Sequence, residues 1–187
     1  PRHFDPALPT AIILAGPDSF KPGEAGAVAM GLRGIREAAR LANHNTVIID
    51  INGMTQDQIK AAVERQAAQI YGSVDAARGR IGVQVVAHGD ERGNYLARVG
   101  PDGRAASAPI ENILGALRDG SSTPLVTGIN IANCHMGIRP EMAMGPNQVV
   151  TASSRIDQCT SVADFLRSFA HSAATRGSIM PQDTAAS

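Results

Sequence analysis

The chain is poor in aromatic residues and cysteine and has no excess of charge. Trp is absent and aromatics make up 3% of the 187 residues, so we expect a core of Ile, Val, Leu, Ala and Met. Two cysteines are too few for a disulfide framework, and neither has the spacing of a structural zinc site. Lys plus Arg and Asp plus Glu both number 17, and no basic stripe or aromatic RNA-binding motif is present. We therefore expect no nucleic-acid partner.

Long apolar runs are also missing. No stretch approaches the roughly 20 residues that a membrane-spanning helix needs, so we expect no membrane insertion. No signal-peptide pattern opens the chain, which leaves a cytoplasmic location or export by another route as the expectations. We expect neither a metal nor a cofactor, and the sequence does not reveal the oligomeric state.

Short apolar segments with strand character alternate with segments of helical periodicity. Strands are predicted at 11–16, 46–51, 82–87, 128–132 and 148–153. Helices are predicted at about 24–42, from a capping box of Thr55 and Gln58 to about 70, from Pro109 to about 118, and from a cap at Ser161 and Asp164 onward. A small hairpin is predicted around 95–103.

This alternation predicts an α/β fold, because strands joined by helices form parallel units. We expect a single domain over residues 1–187, with 1–9 and 178–187 as loose ends. Its architecture should be a three-layer α/β/α sandwich with a mainly parallel sheet of five to six strands.

Two of the predicted strands end in residues suited to nucleophilic chemistry. One ends in His88-Gly89 and the other in Asn133-Cys134. Ligands of an open parallel sheet bind beyond the carboxyl ends of its strands, so neighbouring strands would bring His88 and Cys134 together there. An imidazole beside a thiol favours the thiolate and supplies general acid–base catalysis. The N–H groups of Gly89 and Cys134 are candidate oxyanion donors.

The segments VVAHG at 85–89 and INIANCHMG at 129–137 resemble the His and Cys motifs of caspase–hemoglobinase fold peptidases. That group includes caspases, metacaspases, legumains, clostripain-like peptidases and toxin autoprocessing peptidases. The separation of 134 − 88 = 46 residues compares with roughly 50 in caspases. The resemblance implies a caspase-like cysteine endopeptidase that acts on a protein or peptide substrate, with His88 as base and Cys134 as nucleophile.

The substrate pocket is less well defined by the resemblance. Ala132 stands where metacaspases and legumains have an acidic residue that lines the pocket for the substrate's P1 side chain, and the Gln-Ala-Cys form of caspases is missing. No P1 preference therefore carries over. The resemblance implies that Ser153 and Ser154 line this pocket. Asp157 is a candidate partner for a basic P1 residue, and Arg155 for an acidic one.

Several other assignments stay open. His135 is the less favoured base, because adjacent residues of an extended chain point to opposite sides. Asp18, after the first strand, either orients His88 or is a plain turn residue. Cys159 is either a semi-buried thiol or the partner of Cys134 in a regulatory disulfide.

The loop after Cys134 carries Met136, Met142 and Met144. It is interpreted either as a substrate or self-cleavage loop or as a surface loop with hydrophobic anchors.

Three other functions compete with the peptidase. The first is a catalytically silent caspase-like module that binds proteins. The second is a flavodoxin-like nucleotide-binding domain, although the chain has neither GxGxxG after a strand nor GxxxxGK[ST]. The third is a cysteine hydrolase that acts on another substrate, because a fold does not fix a function.

Overall fold

The computed structural model describes residues 3–17, 25–135, 137, 139 and 142–152. The strands are β1 (Thr10–Ala15), β2 (Asn45–Asp50), β3 (Ile81–Val86), β4 (Asn94–Val99), β5 (Ala105–Pro109), β6 (Val126–Ala132) and β7 (Val149–Ala152). The helices are α1 (Ala25–Leu41), α2 (Gln56–Tyr71), α3 (Val74–Ala77) and α4 (Glu111–Leu117).

Five strands form one parallel sheet in the order β2-β1-β3-β6-β7. Helices flank this sheet, so the predicted α/β class and three-layer architecture are confirmed, with five strands in the sheet. The antiparallel pair β4–β5 forms a separate two-stranded sheet, which is the predicted hairpin. The hairpin is held against the loop after β2, because Gly53 donates its N–H to the carbonyl of Ala97 at 2.7 Å.

Helix α2 follows its sequence signals closely. The hydroxyl of Thr55 accepts from the N–H of Gln58 at 3.2 Å, and the Gln58 side chain accepts from the N–H of Thr55 at 2.9 Å. Gly72 ends the helix with a φ of 89°, a left-handed conformation that glycine adopts without strain. The predicted apolar face is the buried face: Ile59, Ala62, Val63, Ala67 and Ile70.

The start of α4 differs from the prediction. Pro109 was expected in the first helical turn, but it ends β5, where it pairs with Asn94, and the helix begins at Glu111. Proline has no N–H to donate to the strand ladder, and it is tolerated at the end of an edge strand because that hydrogen bond is not needed there. The short α3, capped by the Ser73 hydroxyl, was not predicted.

The main core lies between one face of the sheet and helices α2 to α4. Alternate residues of β1 and β3, such as Ile12 and Val83, point into it, and it includes residues of α2, α3 and α4. The hairpin joins the same core through Tyr95, whose side chain is fully buried. Ile13 is equally buried but lies outside this cluster, as do the buried residues of α1, which places them with the opposite face of the sheet.

The start of the described chain is anchored rather than free. The side chain of Asn45 binds the backbone of Asp5 in both directions, and Arg80 donates to the carbonyls of Pro6 and Ala7. The predicted last helix from Ser161 and the tail from residue 178 lie outside the described residues. In the described part of the chain, no helix is long and apolar enough to cross a bilayer.

Candidate active site

The register of β3 and β6 places the two sequence motifs at one edge of the sheet. These strands are parallel neighbours, and the last residues of their ladder, Val86 and Ala132, are direct partners. His88 and Cys134 each follow that pair by two residues. The strands end at this pair, the chain bends at Ala87 and turns at Cys134, and the register therefore brings the two motif segments to the same edge of the sheet.

A buried hydrogen bond fixes this alignment. The Asn133 side-chain oxygen accepts from the backbone N–H of Ala87 at 3.1 Å, and both residues are buried. The bond therefore joins the residue before His88 to the residue before Cys134. No local sequence signal identifies this role of Asn133, because the role depends on which strand lies beside β6.

A polar row crosses the same sheet face below the two motifs. The ladder pairs Gln84 with Asn130 and Asn130 with Thr151. Asn130 donates to the Gln84 side-chain oxygen at 3.0 Å and accepts from the Thr151 hydroxyl at 2.7 Å. Gln84 and Asn130 are buried and precede the two motif residues by four positions each. These bonds hold β3, β6 and β7 in one register beneath the site.

The two candidate catalytic residues differ in exposure and in chemical state. His88 is exposed, whereas Cys134 is 8% exposed. The sulfur of Cys134 forms a disulfide. The chain has one other cysteine, Cys159, which lies outside the described residues. A sulfur in a disulfide is not a thiolate nucleophile, so the chemistry expected of Cys134 requires its reduction.

The backbone at Gly89 suits an oxyanion donor. The backbone groups on either side of Gly89 bond to strand β4. The N–H of Leu96 donates to the His88 carbonyl at 2.8 Å, and the N–H of Asp90 donates to the Asn94 carbonyl at 3.0 Å. Among the described residues, none accepts a hydrogen bond from the Gly89 N–H itself. The Gly89 N–H therefore remains a candidate oxyanion donor.

Asp90 organises the turn that follows His88-Gly89. One of its oxygens accepts from the N–H groups of Arg92 and Asn94, at 2.8 and 3.0 Å, and the other accepts from the Asn94 side chain at 3.1 Å. Burial raises the pKa of Asp90, but these hydrogen bonds outweigh it and lower the pKa below its ordinary value. The turn was detectable in sequence, because Asp followed by Gly three residues later is typical of such turns.

An open cleft of about 500 Å³ lies between the two motifs. Its walls include Gly89, which follows His88, and His135, which follows Cys134. Asp90, Glu91, Arg92, Asn94 and Ser107 complete the lining. The cleft is polar and carries both signs of charge, so its composition alone selects no class of side chain.

His135 does not lie on an extended chain. Its φ is 55°, in the left-handed region, and its half-buried side chain lines the cleft. The expectation that His135 points away from Cys134 assumed an extended chain, and that assumption is wrong at this position. The structure brings His135 to the cleft, whereas neither His88 nor Cys134 is among the residues that line it. The two histidines must therefore be distinguished by experiment.

The remaining predicted pocket residues divide into two groups. Ala132 is 1% exposed and ends β6 beside Val86. The other pocket residues lie outside the described residues: Ser153, Ser154, Arg155 and Asp157. Asp18, the candidate for orienting His88, also lies outside them.

The loop after the site is anchored by apolar side chains. Met142 is 3% exposed and belongs to the main core, and Met144 packs against that core. The Arg118 guanidinium donates to the carbonyl of Ala143 at 2.9 Å. These contacts agree with the interpretation of a surface loop with hydrophobic anchors, whereas Met136 lies outside the described residues.

Comparisons with known proteins do not add a family. The chain matches no protein-family model, and a search of curated proteins found no match. Within the described ranges, no group of three or more His, Cys, Asp or Glu side chains is arranged to hold a metal ion.

Proposed function

We propose that the chain is a cysteine endopeptidase of the caspase-like type, with Cys134 as nucleophile and His88 as general acid–base. The observation that carries the proposal is the parallel register of β3 and β6, in which the His88 and Cys134 positions follow a directly paired Val86 and Ala132. The hydrogen bond from Ala87 to Asn133 supports it, because it fixes the two strand ends against each other.

The proposed reaction passes through a thioester intermediate. The Cys134 thiolate attacks the scissile carbonyl carbon, and the N–H groups of Gly89 and Cys134 receive the oxyanion. Collapse breaks the C–N bond, and the leaving amine takes a proton from His88. The resulting thioester is attacked by water, which gives its proton to His88, and the carboxylic acid leaves as the Cys134 thiolate returns.

The disulfide of Cys134 makes the reduced protein the active form under this proposal. A dithiol reductant would supply two electrons, release Cys134 and its partner as thiols, and become a disulfide itself. Assays of the proposed activity therefore begin with fully reduced protein.

The deciding experiment is cleavage of a fluorogenic peptide library with varied P1 residues by reduced wild type and three variants. Cys134→Ala and His88→Ala should each lose at least ~100-fold in kcat/KM, since general acid–base catalysis alone contributes about that much. His135→Ala should retain activity. Activity in Cys134→Ala would overturn the proposal, and selective loss in His135→Ala would transfer the role of base to His135.

A second function is favoured by one observation, the disulfide itself. In a catalytically silent binding module, Cys134 would serve as a structural cross-link rather than a nucleophile. The two functions differ in the reduced state: a silent module would cleave no peptide and would lose stability on reduction. The library assay, run beside a denaturant titration of oxidised and reduced protein, distinguishes them.

A further inference from the structure

Arg139 connects the two loops that carry the candidate catalytic residues. One nitrogen of its guanidinium, Nη2, donates to the Glu91 carbonyl at 3.0 Å and to the His135 carbonyl at 3.2 Å. Glu91 lies in the turn that follows His88, and His135 directly follows Cys134. A single side chain therefore bridges the two segments at the sheet edge.

The turn is built to receive this side chain. A Cβ atom at Gly93 would lie 2.6 Å from the Nη1 atom of Arg139, so a larger residue there would displace the guanidinium from its present position. Gly93 also has a φ of 80°, which a residue with a side chain adopts at a cost. The same glycine thus closes the Asp90 turn and admits Arg139.

Stability alone does not account for the placement of Arg139. Its Nε is buried without a hydrogen-bond partner, and in the described part of the chain no carboxylate forms an ion pair with it. A partly buried guanidinium with unused donors costs free energy. His135, whose carbonyl it binds, also holds the left-handed φ of 55°, which costs a non-glycine residue further free energy. Such costs concentrate where a local geometry serves a function.

We propose that Arg139 is a positioning residue that ties the loop after Cys134 to the loop after His88. This inference rests on the proposed function, because it assumes that His88 and Cys134 act as a pair. Arg139 contacts neither residue's side chain in this role. It acts through the carbonyls of Glu91 and His135, while Asn133 aligns the strand ends below.

The test measures the reactivity of Cys134 as a function of pH. Reduced protein is alkylated with iodoacetamide between pH 5 and 9, and modification of the Cys134 peptide is followed by mass spectrometry. An isolated thiol shows its inflection near pH ~8.5, and a neighbouring imidazole lowers it. The wild type should show the lowered inflection, and His88→Ala should return it to about the isolated value.

Arg139→Met should raise the inflection by about one pH unit, because the pair is no longer held together. It should also lower kcat by ~10-fold or more with little change in KM, because the role proposed for Arg139 is to position the pair and not to bind substrate. Arg139→Lys keeps a charged donor and should restore the wild-type inflection. Arg65→Met, an exposed arginine on α2, is the matched control and should change neither quantity.

The outcomes separate the two proposals. If His88→Ala leaves the inflection unchanged, there is no pair to position, and the proposed function and the role of Arg139 both fail. If His88→Ala shifts it and Arg139→Met does not, the role of Arg139 alone is overturned. Should Arg139→Met not fold, Arg139→Gln decides, because its shorter side chain cannot reach both carbonyls; an unshifted inflection in that variant also overturns the role.

Discussion

At the scale of single residues, the oxidation state of Cys134 decides what the site can do. We expect oxidised wild type to retain less than about 1% of the activity of the reduced enzyme, because the nucleophile is a thiolate. Cys159→Ser removes the chain's only other cysteine and should be active without reductant. Activity with and without dithiothreitol, beside a count of alkylated thiols, measures both effects. Equal cleavage by oxidised and reduced wild type would contradict the assignment of Cys134.

Asp90 should make the contribution of the turn beside the site to the free energy of unfolding depend on pH. Its pKa is lowered in the folded protein, so its contribution to stability is present above its unfolded pKa of about 3.9 and is lost as the pH falls through the folded value. Asp90→Ala should therefore lower the free energy of unfolding by about 1–2 kcal/mol at pH 7 and by less at pH 2. Urea titrations at both pH values measure the difference. An equal loss at the two values would refute the role given to the ionised carboxylate.

Residues differ in how far the sequence reveals them. His88 and Cys134 stand out because each follows an apolar strand and carries reactive chemistry, and Asp90 belongs to a recognisable turn. Asn133 accepts a hydrogen bond from Ala87, and Arg139 donates one to Glu91, and both partners are distant in sequence. No local pattern encodes such pairs, so only the folded chain identifies them.

At the scale of single elements, the N-terminal cap of α2 offers a measurable contribution to stability. Thr55→Ala removes the hydroxyl that accepts from the Gln58 N–H and should cost about 1 kcal/mol of unfolding free energy. Gln69→Ala, at an exposed position of the same helix, is the control and should stay within about 0.5 kcal/mol of wild type. Denaturant unfolding compares the two. Equal effects would mean that the cap contributes nothing beyond an ordinary surface residue.

Elements with strong local signals were predictable almost to the residue. Strands β1, β2 and β3 begin and end within one residue of their expected bounds, because β-branched runs flanked by turn residues define them. The prediction for Pro109 was wrong because proline suits both the first turn of a helix and the end of a strand. In the structure Pro109 pairs with Asn94 across the hairpin and therefore belongs to the strand. The four-residue α3 is too short to show a helical period.

At the scale of the whole molecule, the order of the strands is what turns two separate motifs into one site. The alternation of strands and helices predicts a parallel sheet, but it does not say that β6 lies next to β3 rather than at an edge. That order depends on long-range packing of apolar faces, which single-sequence patterns do not contain. The proposed pairing of His88 with Cys134 was therefore conditional on an adjacency that the structure supplies.

The hairpin, the sheet and helices α2 to α4 share one core, so the described molecule should unfold as one unit. Trp is absent and Tyr71 and Tyr95 are the only tyrosines, so in a Tyr71→Phe background the tyrosine emission reports Tyr95 in the hairpin alone. Its denaturant midpoint should coincide with that of helical circular dichroism.

In the same background Ile59→Ala, in the buried face of α2, should lower both midpoints together, at a cost of about 3 kcal/mol. Exposed Lys60→Ala is the control. A Tyr95 transition at lower denaturant than the helical one would mean that the hairpin, and the cleft it borders, opens independently of the sheet.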